Sequence, residues 1–415
     1  MKVLFLVSSF PALSETFILN QITGFIDRGI DVEIVAWNKA VNQKNHPEIE
    51  KYSLLEKTHF LNNSSTKSKR FFGGMKLASR CVWKAPKATC QAFNYRKYGK
   101  MIFTVRFLYA LPYFLERKEF DAVICHYGPS GIVAAYLQDQ ALLPKNTMTF
   151  FHGNDITTFV KKHGMKVYDS LFSTDIKLLP VSNQFARLLK AYGADSKQIK
   201  VHRMGIDLEK FHPVALSELS ETIHFLSIGR LTEKKGMDVA IKTIGELKKR
   251  GFKVSLEIIG EGPLRHELES LIAYESLEAE VTLLGWQSQS EVNQAIEKAD
   301  FVLQLSKTAA DGDKEGVPVA LMETMARGKL VISTEHSGIP ELITNGSSGW
   351  LVAEDNVFET VNKMIEVMNK PEIWPQISQQ AREKISSEFN IAKLNDDLIA
   401  SCAGGLPNAQ KNVQY

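Results

Sequence analysis

Alternation of short apolar segments with amphipathic helical segments constrains the fold of this chain more than any other feature. The pattern comes in two series, separated by a polar stretch at 215–222. Strands that alternate with helices form parallel sheets covered by helices on both faces. Each series therefore predicts one doubly wound, Rossmann-like α/β domain. The predicted strands lie at 3–7, 32–37, 122–125, 148–151 and 176–181 in the first series and at 223–228, 254–259, 281–284, 301–305 and 330–333 in the second.

The polar stretch sets the predicted domain boundary. We expect an N-terminal domain over 1–215 and a C-terminal domain over 216–385. The last segment, 386–415, is expected to hold a helix that returns to the N-terminal domain before a frayed tail. Ligands of such folds bind beyond the carboxyl ends of the strands, so the expected site is the cleft between the two domains.

Composition excludes several other classes of protein. The chain has 415 residues, of which 44% are apolar and 23% charged, and this mix excludes a mainly disordered protein. No apolar run reaches the roughly 18 residues of a membrane-spanning helix. The apolar start at 3–7 is too short for a signal peptide and leads into Phe10-Pro11. The four cysteines lack metal-ligand and Cys-x-x-Cys spacing, which suits a cytosolic protein with reduced thiols.

The segment 57–115 has an unusual charge distribution. It contains no Asp or Glu but twelve Lys and Arg residues interleaved with aromatics, and it predicts a largely helical insertion that includes a helix at 101–115. Basic side chains with aromatic anchors suit an anionic membrane surface or an anionic lipid-linked substrate. The alternatives are a solvated basic helix face over core aromatics, and nucleic acid, for which the chain has no motif. The pattern does not separate membrane lipid from the diphosphate of a lipid-linked substrate.

A basic turn in the second domain has the chemistry of a diphosphate clamp. The segment from Gly229 to Gly236 follows a predicted strand and precedes a helix, and it places Arg230 and Lys235 five residues apart. Arg can bind phosphate oxygens bidentately, Lys adds a point charge, and a helix start adds backbone N–H donors. The alternative is a basic surface loop that ends at Gly236.

Two carboxylates follow the strand predicted at 301–305. Glu315 lies in the loop before a helix whose first turn suits Pro318, and Glu323 lies about one and a half turns into that helix. Free N–H groups at the helix start can bind phosphate oxygens. Carboxylates can accept hydrogen bonds from vicinal sugar hydroxyls. The alternative is an acidic capping residue followed by a surface glutamate.

Together these motifs resemble the retaining glycosyltransferases of family 4, which have the two-domain GT-B fold. The resemblance implies that the domain over 1–215 binds the acceptor and that the domain over 216–385 binds the nucleotide sugar. Residues 8–17 and His152-Gly153-Asn154-Asp155 are similar to the bacterial exopolysaccharide branch, which includes enzymes of colanic acid and amylovoran assembly. Shorter matches run in family order through most of the chain: Ser182, Gly205-Ile206-Asp207 with Phe211 and Pro213, Gly260-Glu261-Gly262-Pro263, Gly285, Ala299-Asp300 and 336–341.

The resemblance implies a role for each matching position. Arg230 and Lys235 would bind the donor diphosphate and stabilise charge on the departing nucleotide. Glu323 would hold the ribose hydroxyls, while Glu315 would hold sugar hydroxyls and orient the anomeric carbon. His152 would lie near the transferred sugar. The remaining donor contacts implied are Gly260 and Glu261 together with the backbone of Val317, Pro318, Val319 and Ala320.

Three polar residues of the first domain also have structural interpretations. His152 is either a functional residue at a strand end or a buried, hydrogen-bonded histidine. His126 is either a residue on the acceptor side or a structural one. Asp155 is either a functional residue or a cap for the helix that follows.

One motif departs from the pattern of the family, and another imitates a motif of a different class of glycosyltransferase. Ser14-Glu15-Thr16 stands where the family often has a Gly-Gly pair. Ser14 is a good helix cap, but Glu15 adds a carboxylate, so the role of this loop stays open. Asp311-Gly312-Asp313 imitates the metal-binding Asp-x-Asp of GT-A glycosyltransferases. Because basic residues already supply positive charge, we expect a polar loop here and no metal requirement.

The sequence thus predicts a retaining, metal-independent hexosyltransferase that needs no cofactor. The expected donor is a nucleotide-diphosphate sugar, with a UDP-hexose favoured. The expected acceptor is an oligosaccharide on a polyprenyl diphosphate in exopolysaccharide or lipopolysaccharide biosynthesis. The enzyme would be cytoplasmic, peripherally bound to the inner face of the plasma membrane through 57–115, without a nucleic-acid partner. The alternatives are an epimerase or phosphorylase on the same fold and a catalytically silent nucleotide-sugar-binding scaffold. The hexose, base, linkage and oligomeric state stay open.

Overall fold

The computed structural model describes residues 1–12, 15–40, 46–61, 66–117, 119–216 and 219–404. The chain divides into two units, one made of Met1–Arg203 with Ile391–Tyr415 and the other of Met204–Asn390. Each unit is built on a six-stranded sheet with parallel neighbours, and helices connect the strands. The predicted fold class is therefore confirmed. Within the described residues, no helix combines the length and apolarity needed to span a bilayer.

The first unit has its first strand at the centre of the sheet. Its strands are β1 (Lys2–Phe10), β2 (Asp31–Lys39), β3 (Thr58–Phe60), β4 (Ala122–His126), β5 (Thr147–Phe151) and β6 (Lys177–Pro180), in the order β3-β2-β1-β4-β5-β6. Val3 pairs with Val32 on one side and with Ala122 on the other. The side chains from Val3 to Val7 are fully buried, as expected when helices cover both faces of a parallel sheet.

Several helices of the first unit form the predicted basic insertion. Its helices before the second unit are α1 (Thr16–Ile26), α2 (Pro47–Lys51), α3 (Lys67–Lys84), α4 (Pro86–Gln91), α5 (Tyr95–Tyr98), α6 (Arg106–Glu116), α7 (Gly128–Asp139), α8 (Thr158–His163), α9 (Asp169–Phe172) and α10 (Asn183–Ala191). The helix predicted at 101–115 is divided into a 3-10 segment, Gly99–Thr104, and α6. The division falls at Val105, whose positive φ of 53° is incompatible with a continuous right-handed helix.

The second unit repeats the architecture. Its strands are β7 (Ile223–Ile228), β8 (Val254–Ile259), β9 (Val281–Gly285), β10 (Phe301–Gln304), β11 (Leu330–Thr334) and β12 (Trp350–Val352), in the order β12-β11-β10-β7-β8-β9. Its helices are α11 (Met237–Lys249), α12 (Arg265–Tyr274), α13 (Gln289–Lys298), α14 (Val319–Ala326), α15 (Ile339–Leu342), α16 (Val357–Met368) and α17 (Trp374–Glu388). Two apolar cores contain alternate residues of these strands, for example Phe225 in one and Leu226 in the other. Side chains of successive strand residues point to opposite faces, so one core lies on each face of the sheet.

The boundary between the units lies earlier than the predicted 215/216. Ile206 and Phe211 are buried in a core of the second unit, and the Ile206 N–H donates to the Phe389 carbonyl at 2.9 Å. These contacts place the stretch from Met204 onward, together with 386–390, in the second unit. The last helix, α18 (Ile391–Cys402), belongs to the first unit and packs on α1, where Arg28 reaches the Ala392 carbonyl at 2.9 Å.

Candidate active site

The predicted diphosphate clamp follows β7, where backbone hydrogen bonds hold it against the turn after β8. The Gly229 N–H donates to the Ile259 carbonyl at 2.9 Å, and the Leu231 N–H donates to the Glu261 carbonyl at 3.0 Å. The two turns lie so close that a Cβ on Gly260 would come within 1.9 Å of the Gly229 carbonyl oxygen. Gly260 and Glu261 therefore support the clamp through their backbones. A direct contact of either residue with a donor stays a prediction.

The clamp presents its two basic side chains differently. Arg230 is exposed and forms no ion pair with any residue that the structure describes. The Lys235 side chain is largely buried, and its Nζ lies 2.7 Å from Oε2 of Glu315. The turn closes at Gly236, with φ +64°, where a Cβ would meet the Leu305 carbonyl oxygen at 1.8 Å. Glycine at this position thus lets the clamp pack against the chain that leads from β10 toward Glu315.

Electrostatics keep Glu315 ionised. Burial alone would raise the pKa of the Glu315 carboxyl, but the charges of Lys235 and Lys234 and the hydrogen bond from Lys235 outweigh burial and lower that pKa to about 2. The structure therefore joins a predicted diphosphate ligand, Lys235, to a predicted sugar ligand, Glu315, as an ion pair. A bound diphosphate would compete with Glu315 for the Lys235 ammonium.

The loop that imitates an Asp-x-Asp metal site is tied to the clamp. Oδ2 of Asp313 lies 3.0 Å from Lys234 Nζ, and Oδ1 of Asp311 accepts from the Asp313 N–H at 2.8 Å. Among the residues with described positions, no three His, Cys, Asp or Glu side chains are grouped so that they could hold a metal ion. The absence of a metal requirement stays a prediction.

A buried histidine positions the backbone of Glu315. Nε2 of His336 accepts from the Glu315 N–H at 3.0 Å, and its Nδ1 lies 2.7 Å from Oε1 of Glu354. Because Nε2 accepts a hydrogen bond, Nδ1 is the ring nitrogen that donates to the Glu354 carboxylate. The neighbouring Gly338 approaches Gly316 so closely that a Cβ would lie 2.5 Å from the Gly316 carbonyl oxygen. This network fixes the loop from which the Glu315 side chain projects.

Helix α14 follows that loop and carries the second predicted carboxylate. Pro318 is its N-cap residue, with an extended ψ of 121°, and the free N–H groups of a helix start begin here. Val317, Val319 and Ala320 surround this start, as the sequence predicts. Burial raises the pKa of Glu323 on α14 to about 7, against smaller opposing effects of Gln289 and Arg327. Hydroxyl donors at Glu323 would favour its ionised form.

The first unit places His152 in an aromatic cluster at the end of β5. The ring lies 4.8 Å from the rings of Phe17 and Tyr127, measured between centroids, and its Nε2 lies 3.0 Å from Nδ1 of His126. Burial lowers the pKa of His152 to about 3, and burial together with the neighbouring His152 holds the pKa of His126 well below its ordinary value. Both rings are therefore neutral at physiological pH, and His152 can act as an uncharged hydrogen-bonding partner but not as a cation.

Two neighbours of His152 are structural. His126 is fully buried beneath it, so the interpretation of His126 as an acceptor contact is wrong. The Asp155 carboxylate accepts from the N–H groups of His152 at 3.0 Å, Gly153 at 2.9 Å and Gly128 at 2.9 Å. Asp155 thus ties the loop after β5 to the start of α7.

The added carboxylate of the first loop has a partner in this cluster. The Tyr127 hydroxyl donates to Oε1 of Glu15 at 2.8 Å, and Tyr127 itself has a positive φ of 71°. Glu15 occupies the N-cap position of α1 without a side-chain capping bond. The predicted cap, Ser14, lies outside the described residues. A non-glycine residue in the left-handed region often marks a functional site.

Sequence reasoning assigned no role to Tyr127, Phe17 or the pair of His336 and Glu354. His336 was visible as part of a family motif at 336–341. No local signal marks Tyr127, because its backbone conformation and its contact with Glu15 arise only from the tertiary fold.

Comparisons with known proteins show the family to which the chain belongs. Residues 210–384 match the family model described as "Glycosyl transferases group 1". Over 409 residues the chain is 37% identical to the putative colanic acid biosynthesis glycosyltransferase WcaL of Escherichia coli (strain K12), which covers 96% of this chain and 99% of WcaL. It is 38% identical over 397 residues to the amylovoran biosynthesis glycosyltransferase AmsK of Erwinia amylovora, with coverage of 94% and 96%.

A solved structure has the same fold. Anabaena Alr3699/HepE in complex with UDP superposes with a TM-score of 0.71 at 17% identity, covering 97% of this chain and 100% of HepE. This likeness concerns the fold alone, and it confirms the GT-B architecture predicted from the sequence.

Proposed function

Because the chain belongs to the family of exopolysaccharide glycosyltransferases that includes WcaL and AmsK, we propose that it transfers a hexose from a UDP-hexose to a lipid-linked oligosaccharide. The observation that carries the proposal is the ion pair of Lys235 and Glu315 beside the start of α14. A cation for diphosphate and a carboxylate for sugar hydroxyls meet there at 2.7 Å.

The proposed donor is supported by the charged side chains of the site and by the ligands of a protein with the same fold. HepE structures contain UDP or UDP-glucose, and they share the fold of this chain with TM-scores of 0.71 and 0.70. In our proposal Arg230 and Lys235 bind the diphosphate, and Glu323 accepts hydrogen bonds from the ribose. A diphosphate that attracts Lys235 frees the Glu315 carboxylate to accept hydrogen bonds from the sugar.

The proposed reaction retains the configuration of the anomeric carbon and uses no metal ion. Arg230 and Lys235 supply positive charge where the UDP leaving group develops negative charge, which is the role a metal fills in other glycosyltransferases. The neutral ring of His152 would hydrogen-bond the transferred sugar without adding charge. No basic side chain is needed to deprotonate the acceptor when the departing diphosphate takes that proton.

The experiment that tests the proposal is the release of UDP from a UDP-hexose with and without a lipid-linked acceptor. A transferase releases UDP at a rate that depends on acceptor and forms one glycosidic product for each UDP. An altered sugar nucleotide without UDP release would indicate an epimerase. Binding of UDP without release in the presence of acceptor would indicate a silent binder, and either result would contradict the proposal.

We further propose that α3 binds an anionic membrane surface at the cytoplasmic face. Phe72, Met75 and Trp83 form an exposed apolar stripe along this helix, with Phe72 71% and Trp83 88% exposed. Their spacings of three, eight and eleven residues place them on one face of the helix. A parallel basic stripe borders it and consists of Lys69, Lys76, Arg80 and Lys84. This pairing of stripes is typical of helices that lie in a membrane interface.

Replacing Phe72 and Trp83 with Ser should weaken pelleting with anionic vesicles about 10-fold or more, because each aromatic loses its transfer from water to lipid. The matched control replaces Tyr274 and Phe358 of the second unit, which are 84% and 68% exposed. This control should pellet like wild type. Equal pelleting of F72S/W83S and wild type would contradict the role of α3.

A further inference from the structure

The acid-free segment 57–115 brings two guanidinium groups together. Arg70 lies in the first turn of α3, and Arg106 is the first residue of α6. Burial and, to a smaller extent, the nearby charge of Arg70 together lower the pKa of Arg106 to about 10. Arg106 therefore remains cationic at neutral pH although a like charge lies beside it.

Close packing of α3 on α6 maintains this arrangement. A Cβ on Gly74 would lie 2.9 Å from Cβ of Val105, and one on Gly73 would lie 2.3 Å from the Tyr109 hydroxyl oxygen. That hydroxyl donates to the Arg70 carbonyl at 3.0 Å. Two consecutive glycines thus permit an approach that brings the starts of both helices, and their arginines, together.

The two arginines and a neighbouring tryptophan leave hydrogen-bond donors unused. The Arg106 guanidinium lies 5.1 Å from the ring centroid of Trp37, which is 3% exposed. Nε1 of Trp37 and Nε of Arg70 are buried and have no partner among the described residues. Neither arginine pairs with a carboxylate within those residues. Buried donors and unpaired charges destabilise a fold unless a ligand satisfies them.

Backbone geometry adds an independent observation. Val105, directly before Arg106, has a φ of 53°. A β-branched residue rarely adopts this conformation, and retained strain of this kind concentrates at ligand-binding sites. The backbone conformation at Val105 thus sets the direction in which α6 begins at Arg106.

We propose that Arg70, Arg106 and the Trp37 indole N–H bind the phosphate group of a lipid. Paired guanidinium groups match phosphate oxygens bidentately, and the indole N–H supplies a further donor. We infer that the phosphate carries a hydrocarbon chain, because the exposed apolar side chains of Phe71 and Phe72 follow Arg70 directly on α3 and could contact such a chain. This assignment rests on the proposed function. Under that function, the phosphate is part of the diphosphate of the lipid-linked acceptor.

The test measures binding of geranyl diphosphate, a water-soluble isoprenyl diphosphate, with excess UDP present so that the donor site is filled. R70Q/R106Q should bind it about 100-fold more weakly than wild type, because each charge-assisted contact is worth roughly 10-fold or more. R70K/R106K, which keeps both charges but loses the planar forks, should lose about 10-fold. The matched control R96Q/R187Q removes two exposed arginines of the same unit that lie outside α3, and it should bind like wild type.

A second arm uses phosphatidylglycerol vesicles. Loss with geranyl diphosphate identifies the carrier lipid as the source of the phosphate, and loss with vesicles alone identifies a membrane phospholipid; either supports the site. Affinities of R70Q/R106Q within threefold of wild type in both arms would overturn it, as would an equal loss in R96Q/R187Q. R70Q/R106Q should also melt no lower than wild type, since it removes unpaired charges. Stabilisation by UDP is measured separately, so a failed donor assignment is distinguishable from a failed phosphate site.

Discussion

Replacing Glu315 with Gln should lower acceptor-dependent UDP release by about 10²–10³-fold, the usual cost of removing one preorganised electrostatic partner. Gln keeps the size of the side chain and can still accept a hydrogen bond from Lys235, so the loss would report the missing negative charge. The His336 network holds the backbone at this position and is unchanged by the substitution. Loss of the ion pair leaves the largely buried Lys235 without its partner and should lower the melting temperature, so turnover is measured at a temperature at which the variant remains folded.

The control for this prediction is E278Q, because Glu278 is an exposed glutamate of the same unit. It should release UDP at the wild-type rate. A folded E315Q protein with near-wild-type turnover would show that the carboxylate does not act on the sugar, and the assigned site would be wrong.

Replacing Lys235 with Ala should produce two effects. Turnover should fall by about 10²–10³-fold, and UDP should bind at least about 10-fold more weakly, because a cation for the diphosphate is lost. Stability near neutral pH should also fall, since Glu315 would be left buried without its main counter-charge. In wild type the lowered pKa of Glu315 stabilises the fold above its ordinary pKa, and that stability is lost as pH falls toward about 2.

The pH dependence separates these effects. In K235A the pKa of Glu315 should rise, so part of the destabilisation should disappear when acid protonates the carboxyl. K242A, which removes an exposed lysine of α11, is the matched control and should change neither UDP affinity nor stability. Equal UDP affinity in K235A and wild type would contradict the contact of Lys235 with the diphosphate.

Most of the fold could be predicted because periodic apolar segments reflect burial directly. The strands predicted at 223–228 and 254–259 have the same bounds in the structure. Strands β3 and β12 were missed because three residues are too few to show a period. The domain boundary was placed too late because burial of Ile206 and Phe211 depends on contacts with residues distant in sequence.

The candidate site was predicted residue by residue but not as an arrangement. Family motifs pointed to Lys235 and Glu315 separately, whereas their ion pair depends on how two loops pack. The same limit applies to Arg70, Arg106 and Trp37. The sequence showed a segment without acids, but the proximity of Arg70 to Arg106, whose guanidinium lies over the buried Trp37 indole, follows from the contact of α3 with α6.

The most direct test of the central claim, that the second unit binds a nucleotide-diphosphate sugar at Lys235 and Glu315, is thermal stabilisation by UDP in the presence of EDTA. UDP at a hundredfold excess over its Kd should add about 2.7 kcal/mol to the stability of wild type and raise its melting temperature. K235A should show a much smaller rise, and GDP and ADP should stabilise wild type less than UDP. No rise with any of the three nucleotides, or an equal rise in K235A, would contradict the account.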